Sequence, residues 1–171
     1  PIGEGGKAKE DQTIKPYHNM DKTKMAIDIF DKRASEYQAK FMDVGLYHDT
    51  FDLFFTRITK ENAEILELAC GPGNIPRYLL NKRPDFKILG IDLAPNMIEL
   101  AKMNNPTASF QCMDCRDIRL LGKKYDAVMC GFCLPYLSKE ESVQLISDVY
   151  NLLESNGLLY ISTMEDDYAK S

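Results

Sequence analysis

The sequence predicts an α/β fold in which a parallel sheet is covered by helices on both faces. Two observations carry this prediction. From Ile65 onward, apolar runs of strand length alternate with amphipathic stretches of helical spacing, the pattern of strands joined by crossover helices. The run ILELACGPGN, Ile65 to Asn74, also joins a strand to a helix through a glycine turn, with Asp92 twenty-one residues beyond Gly71 at the end of a second strand. A strand, a glycine turn and a distant carboxylate together form an arrangement that binds nucleotide-like ligands.

The elements follow in order. Residues 1–20 are rich in Gly, Lys and Glu with almost nothing to bury and read as a mobile tail. From about Lys24 to Phe41, Ala26, Ile27, Phe30, Ala34, Tyr37 and Phe41 recur every three or four residues and predict one helix. A second amphipathic helix carries Leu46, Phe51, Phe54, Phe55 and Ile58. Strand Ile65 to Ala69, helix Ile75 to Asn81, strand Lys87 to Ile91 and helix Pro95 to Met103 come next. Strand Ala108 to Gln111 then leads through a loop to strand Tyr125 to Cys130, helix Lys139 to Leu153 and strand Leu158 to Thr163. Local chemistry marks the boundaries: Pro95 suits a first helical turn, Ser138 with Glu141 makes a capping box, and Gly157 suits a left-handed exit before the last strand.

The bulk numbers narrow the function classes. A chain of 171 residues forms about one domain, here 21–171, and buries roughly 70% of its unfolded surface. With 21 basic against 26 acidic residues the formal charge is -5, which disfavours nucleic-acid and anionic-membrane partners. No apolar run approaches the ~20 residues that span a bilayer, and the first residues lack the apolar core of a secretory signal. Five cysteines, an odd count with several in strands, suit a reducing compartment, so a cytoplasmic location is expected.

The glycine turn departs from the dinucleotide pattern G-x-G-x-x-G, because Pro76 stands where the third glycine would be. Glu67 lies inside the strand, where a buried carboxylate needs a partner, and a cationic ligand group is such a partner. ELACGPG, the acid in GIDLAPNM and the acid at Asp114 in FQCMDCRD together resemble the class I S-adenosylmethionine-dependent methyltransferases over about residues 24–164.

The resemblance implies a Rossmann-like three-layer sandwich with strand order 3-2-1-4-5 and N-terminal helices. It places Glu67, Ala69, Gly71 and Gly73 along the methionine end of the cofactor. Asp92 would clasp the ribose hydroxyls, with Leu93 and Met97 packing near the adenine, and Asp114 would receive the adenine amino group beside Met113 and Cys115. YDAVMCGFCLPYL resembles the fourth motif, putting Cys130 and Phe132 at the methyl donor; Tyr37, in FDKRASEYQAKF, falls where many small-molecule members place a tyrosine over the cofactor. Each residue also has a plainer role, a tight turn for the glycines or helix support for Asp92, and it is their combination that points to the cofactor. Asp117 and Asp126 read as loop and strand-edge acids.

Cys112 with Cys115 and Cys130 with Cys133 have close to the spacing of a structural zinc site. In the resembling fold, however, two other strands lie between the third and fourth, so the four sulfurs are not expected to meet and no metal is expected. The expected function is methyl transfer from S-adenosylmethionine to a small-molecule acceptor, releasing S-adenosylhomocysteine. CGFCLPY breaks the Asn/Asp/Ser-Pro-Pro-Tyr pattern of enzymes acting on base or glutamine amines, which favours a small molecule. Alignment of an already activated methyl group makes a catalytic base optional, and neither His18 nor His48 is selected as one. The competing readings are an NAD-dependent oxidoreductase and a cofactor-binding module without catalysis. The family's sheet continues past the fifth strand with a helix and an antiparallel hairpin, whereas this chain stops at Ser171. The expectation is therefore a fragment of a longer protein, or a homodimer paired along the last strand, whose edge needs cover.

Overall fold

Ile65 and Leu66 begin the strand that organises the molecule, because successive side chains of a strand face opposite ways and both of these are fully buried. The computed structural model describes residues 22–163; the tail expected over 1–20 lies outside the described residues. Along that stretch run α1 (Lys22–Lys32), α2 (Ala34–Phe41), a 3-10 turn (Gly45–Tyr47), α3 (His48–Thr56), β1 (Glu64–Leu68) and α4 (Asn74–Lys82). Next come β2 (Lys87–Asp92), α5 (Pro95–Asn104), β3 (Ser109–Cys112), a 3-10 segment (Cys115–Leu121) and β4 (Tyr125–Gly131). A 3-10 turn (Leu134–Tyr136), α6 (Lys139–Leu152) and β5 (Leu153–Ser162) complete it.

The five strands form one sheet in the order β3-β2-β1-β4-β5, and every pairing is parallel. On one face Ile65, Ile88, Ala127 and Met129 pack with Phe51, Phe54, Ile75 and Leu79 of α3 and α4. On the other, Leu66, Leu68, Ile91 and Val128 pack with Ile118 of the long 3-10 segment and with Leu145 and Val149 of α6. The sheet is thus sealed on both sides, and β5 pairs on one side only among the described residues. No described helix is long and apolar enough to cross a membrane.

Three boundaries differ from the sequence expectation. The single helix over 24–41 is broken at Arg33, whose φ of -109° and ψ of 20° leave the helical region and let α1 and α2 wrap around α5. The loop after β3 is a seven-residue 3-10 segment. The last strand begins at Leu153 rather than Leu158, because Tyr125 pairs with Leu153 and Ala127 already with Leu158, so the residues between bulge outward. Within that bulge Asn156, not Gly157, takes the left-handed conformation, at φ 66°. Gly157 is needed for space instead, since a Cβ there would lie 2.9 Å from the Glu154 carbonyl oxygen and 3.1 Å from the Leu153 Cβ.

The capping box at the start of α6 is complete: the Ser138 hydroxyl accepts from the Glu141 N–H and the Glu141 carboxylate accepts from the Ser138 N–H. Ser138→Ala is expected to lower stability by about 1 kcal/mol, read as a fall of roughly 2–4 °C in thermal midpoint.

Candidate functional site

The chain leaving β1, β2 and β4 opens a cavity at one end of the sheet. Its 350 Å³ are lined by Glu67 of β1, the turn residues Ala69 to Gly71, Asp92 at the end of β2, and Gly131 and Phe132 at the end of β4. Tyr37 and Phe41 of α2, with Tyr47, close the side nearest the N-terminal helices. A smaller neighbouring cavity of 90 Å³ shares Ala69 and Asp92 and is lined by Leu93, Met113, Asp114 and Cys115.

Glu67 shares a face of β1 with Ile65, so an acid occupies a position the fold would ordinarily give to an apolar side chain. It is 3% exposed, and among the described residues its Oε2 has no hydrogen-bond partner. Burial, with the Asp92 charge added, holds its carboxyl well above the usual glutamate range.

Asp92 organises the turn that faces it. Its Oδ2 accepts from the Gly71 N–H at 2.9 Å and its Oδ1 from the Ala94 N–H at 2.9 Å, so one side chain joins the glycine turn to the start of α5. Burial raises its pKa, and these backbone donors pull it back only in part. Each oxygen still has acceptor capacity for a further donor. From behind, the buried Asn105 amide donates to the Gly73 carbonyl at 2.9 Å, and the Asn104 amide donates to the Pro72 carbonyl at 2.8 Å and to the Gln38 Oε1 at 2.7 Å. Tyr37, beside Gln38, is thereby tied to the turn on which its ring rests, 3.9 Å from where a Gly71 Cβ would be.

Gly73 sits at φ 77°, and a Cβ there would meet the Asn105 Nδ2 at 2.3 Å. Gly73→Ala is expected to cost about 3 kcal/mol, strain plus a lost hydrogen bond, measured by urea unfolding.

Two residues without glycine's freedom also adopt left-handed backbone at the mouth, Ala69 at φ 55° and Phe132 at φ 62°. They end the runs leaving β1 and β4, and such conformations cluster where a ligand is clamped.

Of the residues marked in the sequence, Tyr37, Glu67, Ala69, Gly71, Asp92, Met97 and Phe132 line the larger cavity, and Leu93, Met113, Asp114 and Cys115 line the smaller one. Gly73 stands behind the turn and Cys130 in the core on the α6 side; neither lines either of these two cavities. Asp114 is held by Arg116, whose Nη2 donates to Oδ2 at 2.6 Å and whose Nη1 donates to Glu141 at 2.7 Å, linking the smaller cavity to the cap of α6. Burial would raise the Asp114 carboxyl, yet the Arg116 bonds hold it below its ordinary value. Asp126 serves the fold, accepting from Lys60 and from the Glu64 N–H. His48 stacks on Tyr78 at 4.3 Å and lines neither cavity; His18 lies outside the described residues. Sequence reasoning missed Asn104, Asn105, Phe41, Asp43 and Tyr47. The paired asparagines closing a helix were the one local signal for the first two, because such residues favour hydrogen bonds to nearby backbone.

The four paired cysteines do not all meet, although two of them come close. The 3-10 segment after β3 returns across the sheet beside α6, so the Cys115 and Cys133 sulfurs lie 3.7 Å apart although their strands are not neighbours. The Cys115 and Cys130 sulfurs beside it, with burial, push the Cys133 thiol up. Cys112 remains exposed, its thiol toward the Leu93 carbonyl at 3.5 Å. Among the described residues no group of three or more His, Cys, Asp or Glu side chains is placed to hold a metal ion.

Residues 65–157 match the family described as "Methyltransferase domain". The malonyl-acyl-carrier-protein O-methyltransferase of Acetivibrio thermocellus is 32% identical over 107 residues, 61% of this chain and 37% of that protein. The carboxy-S-adenosyl-L-methionine synthase of Campylobacter hominis is 25% identical over 125 residues, 70% of this chain and 53% of that protein. This chain thus spans between a third and about half of these relatives' lengths. The crystal structure of magnesium protoporphyrin IX methyltransferase from Synechocystis PCC 6803 with bound S-adenosylmethionine shares the fold, with a TM-score of 0.65 at 21% identity over 80% of this chain and 74% of that one.

Proposed function

The chain belongs to the methyltransferase-domain family, and we propose that it binds S-adenosylmethionine across the two cavities and transfers the methyl group to a small-molecule acceptor, leaving S-adenosylhomocysteine. The observation that carries this reading is Glu67, a buried carboxyl with an oxygen unpartnered among the described residues, in a cavity that also holds Asp92. A buried acid of this kind destabilises the empty fold unless a cationic ligand group meets it.

The residues fit the group in its parts. Glu67 meets the ammonium of the methionine arm, Asp92 the ribose hydroxyls and Asp114 the adenine amino group. Leu93, Met113 and Cys115, with Ala26 and Ile27 of α1, supply apolar walls for a flat base. Tyr37 and Phe132 enclose the sulfur end, exclude water and restrict the approach of the acceptor. When bound, the cofactor supplies a methyl carbon on a positive sulfur, open to in-line displacement. No side chain is assigned as a catalytic base, since alignment alone contributes up to roughly 7–11 kcal/mol in favourable cases.

Calorimetric titration with S-adenosylhomocysteine and with NAD tests the assignment. Saturable binding of the first and none of the second is expected, and binding of NAD alone overturns it. A second copy paired along the open edge of β5 belongs to the same proposal; light scattering that gives a monomer at all concentrations removes that part.

A further inference from the structure

The larger cavity is also walled by Phe41 at the end of α2, by Asp43, Val44 and Tyr47 from the stretch joining α2 to α3, by Asn74 at the start of α4 and by Phe132. Apart from Phe132, the donor reading gives these residues no task. Their character is aromatic and acidic. Tyr47 meets Phe132 at 4.9 Å between ring centroids, and Tyr37 meets Phe41 at 4.7 Å. Three carboxyl groups, Asp43, Glu67 and Asp92, line the cavity, and among the described residues no Lys, Arg or His does. Lys40 lies over the Phe41 ring at 4.9 Å and, like Asp43, is exposed, but it lines no part of the cavity. Asp43 accepts from the Gly45 N–H through Oδ1, and its Oδ2 has no partner among the described residues.

This lining selects among acceptors. A carboxylate or phosphate would enter beside the Asp43 and Asp92 carboxylates, with no Lys, Arg or His among the described lining residues to offset the repulsion. A hydroxyl acceptor has to lose its proton as it attacks, and among the described residues no histidine or lysine lines the cavity to take it, which leaves only carboxylates, weak bases for a hydroxyl. Burial also makes Tyr37 harder to ionise, which rules against its phenolate as the base. An uncharged nitrogen meets neither obstacle, and ring faces and carboxylates favour the cation it becomes.

Resting on the donor reading above, we propose that the acceptor presents an uncharged nitrogen, an amine or a pyridine-type ring nitrogen, on a ring-sized apolar frame. The nitrogen lone pair forms the new N–C bond while the C–S bonding pair returns to sulfur. Positive charge passes from sulfur to nitrogen; a pyridine-type nitrogen, uncharged at neutral pH, has no proton to shed, whereas an alkylamine arrives as an ammonium and gives one proton to water before it attacks, and a primary or secondary amine gives a second afterwards.

The test uses the full chain saturated with S-adenosylhomocysteine and four probes of similar size: isoquinoline, N,N-dimethylbenzylamine, 2-naphthoate and 2-naphthol. Calorimetry is expected to show at least one nitrogen probe binding at least tenfold more tightly than 2-naphthoate and 2-naphthol. With S-adenosylmethionine, mass spectrometry is expected to show N-methylation and no methyl ester or ether. The two nitrogen arms separate ring nitrogen from amine. Asp43→Lys is expected to lower nitrogen-probe affinity at least fivefold and to improve that of 2-naphthoate, while S-adenosylhomocysteine affinity stays within threefold. Equal or tighter binding of the carboxylate or the naphthol, binding of no probe up to millimolar concentration, or an unchanged preference in Asp43→Lys overturns the inference and leaves the donor reading standing. Failure of S-adenosylhomocysteine itself to bind overturns both.

Discussion

Asp92→Ala is expected to abolish calorimetrically measurable S-adenosylhomocysteine binding, a loss of at least about 100-fold, and to destabilise the fold by about 2–4 kcal/mol in urea. Both effects come from one side chain. Its two oxygens hold the Gly71 and Ala94 N–H groups at 2.9 Å each, and hydrogen bonds to a charged acceptor contribute about 1.5–3 kcal/mol apiece. Their removal frees the glycine turn at the point where the ribose is read. Asp92→Asn is the sharper comparison. An amide has one acceptor and one donor end, so either orientation turns an NH2 toward a backbone N–H. The asparagine variant is therefore expected to lose nearly as much as the alanine one. Near-normal stability and binding in Asp92→Asn would mean that the carboxylate's double acceptance is unimportant.

Glu67 gives the second large effect, with opposite signs for stability and binding. Because burial, with Asp92, raises its pKa well above the ordinary 4.5, the folded protein holds this proton at pH values where the unfolded chain has already released it. Stability from this group is complete below about pH 4.5 and declines as pH rises through the folded value. Glu67→Leu is expected to flatten that decline and to raise the thermal midpoint at neutral pH by several degrees, corresponding to about 1–3 kcal/mol. The same change, or Glu67→Gln, is expected to weaken S-adenosylhomocysteine binding about 100-fold, since the ammonium loses its charge-assisted partner. In the unmodified protein, ligand binding is expected to release protons in the range where Glu67 is protonated when free. Titrations in buffers of different ionisation enthalpy measure that release. A destabilised Glu67→Leu protein with unchanged affinity would remove the acid from the donor site.

Periodicity and turn chemistry made the sheet's elements legible, because apolar runs of strand length and helical spacings both leave marks in a single sequence. Strand order came with the motif resemblance, and the parallel order β3-β2-β1-β4-β5 agrees with it. Glu67 was legible because an acid inside an apolar strand has few structural excuses. What escaped detection depended on contacts between distant segments. The break at Arg33 is imposed by packing around α5, on a stretch whose apolar spacing continues unbroken through it. Asn104 and Asn105 reach back 32 residues to the glycine turn. The Cys115–Cys133 approach results from a 3-10 segment with too little periodicity to reveal its path across the sheet. At Asn156 and Gly157 the residue types were suitable, but the steric demand fell on the glycine and the left-handed angle on its neighbour.

The stretch from Phe41 to Tyr47 takes on a different meaning once its separation from the sheet ladder is considered. Glu67, Asp92 and the glycine turn are fixed by strand register and by the asparagines closing α5, whereas Phe41 ends α2 and Asp43, Val44 and Tyr47 hang on a connection that contributes no strand to the sheet. Substitutions there alter the far side of the cavity without shifting any pairing that holds the acids in place. New substrate ranges are then reachable by exchanging the exposed Phe41 and Asp43, whereas Val44 and Tyr47 pack with the core and carry a folding burden as well.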